Sequence, residues 1–104
     1  MSDDLALRVT EALRTVIDPE LGENIVDLGL VYDISIDEGT VNITMTATTP
    51  GCPATGFLKD GAANSVERVA GGKSVDVTMT FEPRWTPSRI KPAVRASLGF
   101  ANVN

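Results

Sequence analysis

The sequence predicts an α/β (α+β) fold of two layers, in which helices cover one face of a small three-stranded mixed sheet. Three stretches alternate apolar and polar residues with a period of two, which is typical of strands that have one polar face. Three others repeat apolar residues at three- and four-residue spacing, which indicates amphipathic helices. The predicted order is α-β-β-α-β-α. Because each strand has a polar face, we expect the helices on the opposite face of the sheet only.

The first helix is predicted over residues 3–16, where apolar residues recur at helical spacing. Ser2 or Asp3 can cap its start, because a side-chain oxygen there accepts a hydrogen bond from a free backbone amide. The helix ends before Pro19, since the residue before a proline is pushed out of helical geometry. An acidic loop over residues 17–24 follows, and it leads into a strand that begins near Leu30.

The first two strands are joined by a short turn at Gly39, which predicts an antiparallel hairpin. The first strand runs to about Ile36 and the second from Val41 to about Thr48. Alternation in the second strand predicts that four side chains face outward, namely Asn42, Thr44, Thr46 and Thr48. This Thr-rich face is expected to be open to water or to a second subunit.

A second helix is predicted from Ala54 to Val69 and is closed by Gly71-Gly72. Its apolar side is expected to contain Phe57, Leu58, Ala62, Val66 and Val69. The third strand, about Ser74–Phe81, follows a crossover long enough to make it parallel to the second strand. A short helix is predicted from about Pro92 to Leu98.

Composition indicates one folded domain over residues 1–104, since the chain has 42% hydrophobic residues and room for one core. It has no long apolar run, and its acidic start lacks the features of a signal peptide, so we expect a cytoplasmic protein. The net charge of −5 argues against nucleic acid and membrane surfaces as partners. The charge is uneven, because most acids lie in residues 1–38 whereas residues 83–104 carry only cations. The acidic and basic regions are either separate solvated faces, or the basic tail contacts the acidic loop or a partner.

Cys52 is the single cysteine, and it lies between Pro50 and Pro53, after a strand and before a helix. A helix N-terminus offers unpaired amides and a positive dipole end, which stabilise a thiolate. A lone cysteine is also commonly a small buried core residue, so spacing alone leaves both interpretations open. The chain has no histidine, which excludes a Cys-His catalytic pair and a His-ligated metal within one chain.

One cysteine cannot complete a zinc or iron–sulfur site, which needs about four ligands. Asp18 and Glu20 are carboxylates of the right type, although a turn cap at Asp18 and an exposed Glu20 explain them equally well. Thr48 and Thr49 can donate hydrogen bonds to a thiolate, or they are ordinary strand residues. Trp85 packs over the sheet edge or marks a contact surface.

Four motifs together resemble the MIP18 (DUF59) family, which includes the PaaD-like and SufT-like iron–sulfur maturation proteins. They are Val16-Ile17-Asp18-Pro19-Glu20-Leu21, Asn24-Ile25-Val26-Asp27-Leu28-Gly29-Leu30-Val31-Tyr32, Thr48-Thr49-Pro50-Gly51-Cys52-Pro53, and Trp85-Thr86 with Arg95 and Leu98-Gly99-Phe100. The resemblance covers nearly the whole chain, and the tail is similar to that of the stand-alone members.

The resemblance implies an iron–sulfur cluster assembly fold and a factor that assembles or delivers clusters to apoproteins. It implies that Cys52 is the reactive thiol or a transient cluster ligand. The implied pocket consists of Asp18, Glu20, Asp27, Thr48, Thr49 and Pro53. Partner contacts are expected at Trp85, Arg89 and Arg95. No structural zinc is expected, because the chain lacks the extra cysteines of some PaaD proteins.

We expect a non-catalytic factor whose partners are iron–sulfur apoproteins and other assembly factors, with a homodimer as one way to supply Cys52 twice. One alternative is a protein–protein adaptor in which Cys52 is dispensable. Another is a thiol enzyme or persulfide carrier, which requires a lowered pKa of the Cys52 thiol.

Overall fold

The computed structural model describes residues 2–48 and 54–99. Three of the predicted site residues, Thr49, Cys52 and Pro53, lie outside these ranges, as does the end of the fourth motif at Phe100. The helices are α1 (Ser2–Leu13), α2 (Ala54–Glu67) and α3 (Pro92–Ser97), with a 3₁₀ turn at Pro87–Arg89. The strands are β1 (Val31–Ile36), β2 (Thr40–Met45) and β3 (Ser74–Met79). The predicted order of elements is therefore confirmed.

The three strands form one mixed sheet in the order β1-β2-β3. β1 and β2 are antiparallel, as their short turn predicts. β2 and β3 are parallel, with Val41 beside Val75 and Met45 beside Met79. The parallel pairing places α2 as the crossover between them. The predicted end of the second helix is wrong, because α2 ends at Glu67 instead of Val69. Gly71 and Gly72, with φ values of +64° and +90°, lie in a separate turn between Ala70 and Lys73 and do not cap the helix directly.

The hydrophobic core lies on one face of the sheet, where α1 and α2 pack against each other and α2 packs on β3. β2 alternates along its length, since Val41, Ile43 and Met45 are fully buried while Asn42 and Thr44 are partly accessible. On the neighbouring strands the residues of the outer face, such as Ser35 and Thr78, are exposed. The expected two-layer arrangement therefore holds, and the outer face is open in the described part of the chain.

The expected orientation of Thr46 is wrong, because this side chain is 0% exposed. The strand ends at Met45, and the alternation of side chains stops with it. The Thr46 amide donates a hydrogen bond to the carbonyl of Leu30, 2.8 Å away. This bond holds the chain after β2 against the residue that precedes β1. Thr46 and Ala47 are therefore both buried.

The expected burial of Phe57 is also wrong, because its side chain is 62% exposed. The buried stripe of α2 is formed by Leu58, Ala62 and Val66, which are four residues apart. One residue turns an α-helix by about 100°, so Phe57 points to the side of this stripe.

The predicted ends of several elements differ from the structure by a few residues. α1 stops at Leu13 instead of residue 16, because Thr15 and Val16 donate to carbonyls three residues earlier and tighten the last turn. β3 ends at Met79 instead of Phe81. None of the helices in the described ranges is long and apolar enough to cross a membrane.

Candidate functional site

The acidic loop, residues 17–24, is a compact turn that its own backbone holds closed. Ile17 and Asn24 form an isolated antiparallel bridge at its base. The Asp18 amide donates to the Glu23 carbonyl at 2.9 Å, and the Gly22 amide donates to the Asp18 carbonyl at 2.7 Å. The loop therefore presents its side chains from a defined backbone.

Asp18 directs its carboxylate back into this loop. Its Oδ1 accepts hydrogen bonds from the amides of Glu20 at 2.8 Å and Leu21 at 3.1 Å, and the residue is only 1% exposed. This is the turn-capping arrangement that was one of the two interpretations of Asp18. A buried carboxylate with two amide donors stabilises the loop that carries Glu20.

Glu20 and Thr48 meet across the site, although they are far apart in sequence. The Thr48 hydroxyl donates to Glu20 Oε1 at 3.3 Å, in an exposed position. Thr48 is the last described residue before residues 49–53, which contain Cys52. The acidic loop is therefore in contact with the segment that leads from β2 into the Cys52 stretch, and two of the predicted pocket residues are brought together.

Asp27 supports the base of the acidic loop through hydrogen bonds to Arg14 and Asn24. Its Oδ1 accepts a hydrogen bond from Arg14 Nη1 at 2.7 Å, and its Oδ2 accepts one from Asn24 Nδ2 at 3.1 Å. The Asp27 amide donates in return to Asn24 Oδ1 at 2.9 Å. The end of α1, the base of the loop and the next turn are thereby joined.

Arg14 and Asn24 were missed as site-supporting residues. The three-residue spacing of Asn24 and Asp27 is a signal for a side-chain-capped turn, because short polar side chains bond to nearby backbone amides. Arg14 has no comparable signal in the sequence, since its contact with Asp27 depends on where α1 ends.

The segment after β3 is fastened to the same turn by backbone contacts. The Lys91 amide donates to the Asp27 carbonyl and the Trp85 indole donates to the Leu28 carbonyl, both at 2.7 Å. Gly29 has a φ of +73°, and a Cβ at this position would lie 2.4 Å from the Arg89 carbonyl oxygen. The motif around Asp27 therefore requires glycine at this position, because a side chain would collide with the segment packed against it.

The predicted partner-contact residues have different surroundings. Trp85 is half-buried and its indole N–H is used within the fold. Arg89 is exposed, and its guanidinium lies 4.7 Å from the centre of the Tyr32 ring. Arg95 is half-buried and donates from Nη1 to the Ser88 carbonyl at 3.4 Å. Trp85 thus holds the segment in place, whereas Arg89 is presented on its surface.

Within the described ranges, no three or more acidic side chains converge on a point where a metal ion could be held. The arrangement therefore consists of a rigid acidic loop beside the segment that leads to a single thiol. Glu20 is exposed and can add an oxygen ligand, whereas Asp18 is buried, and further soft ligands must come from another molecule.

Comparison with known proteins shows that this small α+β domain is similar to iron–sulfur cluster assembly proteins. The profile of the family described as iron–sulfur cluster assembly protein matches residues 7–79. An Fe-S protein maturation auxiliary factor of Porphyromonas gingivalis is 41% identical over 93 residues, which cover 88% of this chain and 89% of that protein. An iron-sulfur cluster carrier protein of Synechocystis is 36% identical over 91 residues, which are 88% of this chain and 25% of that protein.

A solved structure shows the same fold. A domain of unknown function, DUF59, from Bacillus anthracis superposes with a TM-score of 0.86 at 33% identity, covering 93% of both chains. The chain belongs to the iron–sulfur cluster assembly protein family, which confirms the resemblance to the MIP18 (DUF59) proteins. Its role is accordingly in iron–sulfur cluster assembly and the maturation of iron–sulfur proteins.

Proposed function

We propose that the chain acts as a non-catalytic delivery factor, which hands an iron–sulfur cluster to apoproteins through Cys52. The cluster is the cargo of this factor and not a resident group. Cys52 acts as a transient ligand or as the reactive thiol, and Glu20 and Thr48 lie at the border of the same site. Thr49 and Pro53 belong to this proposed site by their place in the sequence.

The observation that carries the proposal is the contact between Thr48 and Glu20. It joins the acidic loop to the segment that contains the single cysteine, in a chain whose Asp18 and Asp27 are engaged in holding that loop. These hydrogen bonds fix the backbone of the loop at Glu20. Such pre-organisation is typical of a site built for a defined ligand.

The number of ligands that a cluster needs explains why the proposed site is shared with another molecule. A cluster takes about four ligands, mostly thiolates, and one chain supplies one cysteine. The remaining ligands come from an apoprotein, another assembly factor or a second copy of the chain. An incomplete set also favours release, because the receiving protein can supply more thiolates than the donor.

The names of the relatives support this choice of cargo and partners, since they include a maturation auxiliary factor and a cluster carrier. The partners proposed are iron–sulfur apoproteins and other cluster assembly factors. A single cysteine also suits a reducing compartment such as the cytoplasm, where we place this role.

Anaerobic reconstitution with iron and sulfide tests the direct-ligand proposal. The wild-type chain is expected to acquire visible charge-transfer absorption in the presence of a small thiol, and Cys52→Ala is expected to lose it. Cys52→Ser is the matched control, because it keeps the size of the side chain and removes the soft ligand. Two results would contradict the role of Cys52. One is equal absorption in the wild type and in Cys52→Ala, and the other is no absorption in either protein.

A second candidate function is an adaptor that recruits apoproteins without handling the cluster. The observation that favours it is the exposed Arg89 on a segment fixed to the core. If the chain is an adaptor, a Cys52→Ala strain is expected to mature its iron–sulfur enzymes normally. If the chain is a delivery factor, the same strain is expected to show a defect.

A further inference from the structure

The segment after β3 presents a group of cations that form no ion pair with the acidic residues of the described ranges. We name Arg84, Arg89, Lys91 and Arg95 the basic band. The ion pairs found in the described residues both involve Arg14, and none involves the basic band. Residues 83–104 contain no acid, although the whole chain has a net charge of −5. The sign of the charge therefore reverses locally on this part of the surface.

Contacts within the segment show that these cations are neighbours in space. The Tyr32 ring lies under the Arg89 guanidinium, and its hydroxyl donates to the Pro83 carbonyl at 2.7 Å, beside Arg84. Arg95 donates to the carbonyl of Ser88, which precedes Arg89. The Arg95 amide also bonds to the Lys91 carbonyl at 2.8 Å. The backbone positions that carry the basic band are therefore held together in one part of the fold.

The backbone that carries the basic band is fixed before any partner arrives. Trp85 and Lys91 are bonded to the turn at Leu28 and Asp27, and Ile90 is 2% exposed. Stacking on Tyr32 orients the Arg89 guanidinium and leaves its edge accessible. A surface held in this way loses little conformational entropy on binding.

A concave surface lies beside Arg89. It has a volume of about 410 Å³ and is lined by Gly29, Val31, Tyr32, Pro83 and Arg89. Arg89 is the one charged residue among the described residues that line it. A planar guanidinium at the edge of such a depression suits a carboxylate, which it can bind with two parallel hydrogen bonds.

We propose that the basic band is the docking surface for an acidic segment of a partner protein, with one carboxylate bound to Arg89. The argument is charge complementarity, since none of these cations forms an ion pair with an acidic residue among the described residues. A second copy of the chain also has acidic residues, most of them in residues 1–38, and the test below distinguishes this occupant from a partner protein. This inference deepens the proposed function by naming the chemistry of the partner, and it rests on that function for the partner's role.

Fluorescence anisotropy with a labelled peptide of alternating glutamate and serine tests this proposal, with the glutamine version of the peptide as the control ligand. The wild-type chain is expected to bind the acidic peptide at low salt and to lose affinity as salt is added. Arg84→Glu/Arg89→Glu is expected to weaken binding by about tenfold or more, which corresponds to ~1.4 kcal/mol. Arg89→Gln is expected to weaken it about threefold.

The matched control is Arg8→Glu/Lys59→Glu, which makes the same change in net charge at exposed cations of α1 and α2. It is expected to bind the peptide nearly as the wild type does. Equal loss in both double variants, or equal binding of the glutamine peptide, would overturn a local docking surface. Circular dichroism verifies that each variant is folded, and Arg89→Gln keeps the test decisive if a double variant is not.

Two further measurements separate the other occupants. Tighter binding of single-stranded DNA than of the acidic peptide, lost in the same variants, would overturn the choice of a protein partner. Self-association of the wild type that Arg84→Glu/Arg89→Glu abolishes would assign the surface to a second copy instead. Cys52→Ala is expected to bind the peptide normally. A failure of the docking surface therefore shows in peptide binding, whereas a failure of the cluster role shows only in the reconstitution experiment with Cys52→Ala.

Discussion

The indole of Trp85 donates a 2.7 Å hydrogen bond to the carbonyl of Leu28, across 57 positions of sequence. This bond fixes the segment after β3 to the turn that contains Asp27. Asp27 in turn bonds to Arg14 and Asn24, at the base of the acidic loop. The loop that presents Glu20 is therefore held by contacts that extend to both the N-terminal and the C-terminal parts of the described chain.

Replacing Gly29 tests the close approach in this assembly. Gly29→Ala adds a Cβ 2.4 Å from the Arg89 carbonyl oxygen, at a φ of +73°. Positive φ alone costs a residue with a Cβ about 1 kcal/mol, and displacement of packed backbone adds about 1–3 kcal/mol. We expect the free energy of unfolding in urea to fall by about 2–4 kcal/mol.

Gly22→Ala is the matched control for this change. Gly22 has nearly the same φ, +72°, but a Cβ there meets nothing within 4 Å. Gly22→Ala should therefore lower the free energy of unfolding only by the cost of positive φ, which is about 1 kcal/mol. Equal losses in the two variants would show that the contact with Arg89 is not tight.

The ion pair between Arg14 and Asp27 is expected to stabilise the fold more than the neighbouring pair. The Asp27 side chain is 15% exposed, and its bond to Arg14 Nη1 is 2.7 Å long. A double-mutant cycle of Arg14→Met and Asp27→Asn, followed by urea unfolding, should give a coupling energy of about 1–2 kcal/mol.

The control cycle pairs Arg14→Met with Glu11→Gln, because this second ion pair of Arg14 is with a carboxylate that is 62% exposed. Its coupling should be about 0–0.5 kcal/mol. A larger coupling at Glu11 than at Asp27 would contradict the supporting role assigned to Asp27.

Phe57 and Leu58 are adjacent on α2 and should respond in opposite ways to substitution. Phe57 is 62% exposed, so Phe57→Ser is expected to change the free energy of unfolding by about 0.5 kcal/mol or less. Leu58 is 1% exposed, and Leu58→Ala is expected to cost about 2–4 kcal/mol. Thermal or urea unfolding followed by circular dichroism measures both. A larger loss for Phe57→Ser would place Phe57 in a packed site.

Local patterns in the sequence were sufficient to predict the elements and their pairing. The period of two identified the strands, and the length of the crossover at α2 made β2 and β3 parallel. The same patterns did not predict Thr46 or Phe57, because burial there depends on where β2 ends and on which stripe of α2 meets the sheet.

The candidate site was predicted in part. Asp18, Glu20 and Thr48 were named from the motifs, and the structure brings Glu20 and Thr48 together. The support by Arg14 and the bond between Trp85 and Leu28 were not predicted, since both join residues that are distant in sequence. Such contacts follow from the packing of whole elements and leave no periodic signal.

The central claim is that Cys52 and the acidic loop act together in the maturation of iron–sulfur proteins. The direct measurement is the activity of iron–sulfur enzymes in a host whose own copy is replaced by Cys52→Ala, Glu20→Gln or the control Glu11→Gln. Enzyme activity should be strongly reduced with Cys52→Ala, partly reduced with Glu20→Gln and normal with Glu11→Gln, at equal protein levels. Normal activity with both Cys52→Ala and Glu20→Gln would contradict the claim.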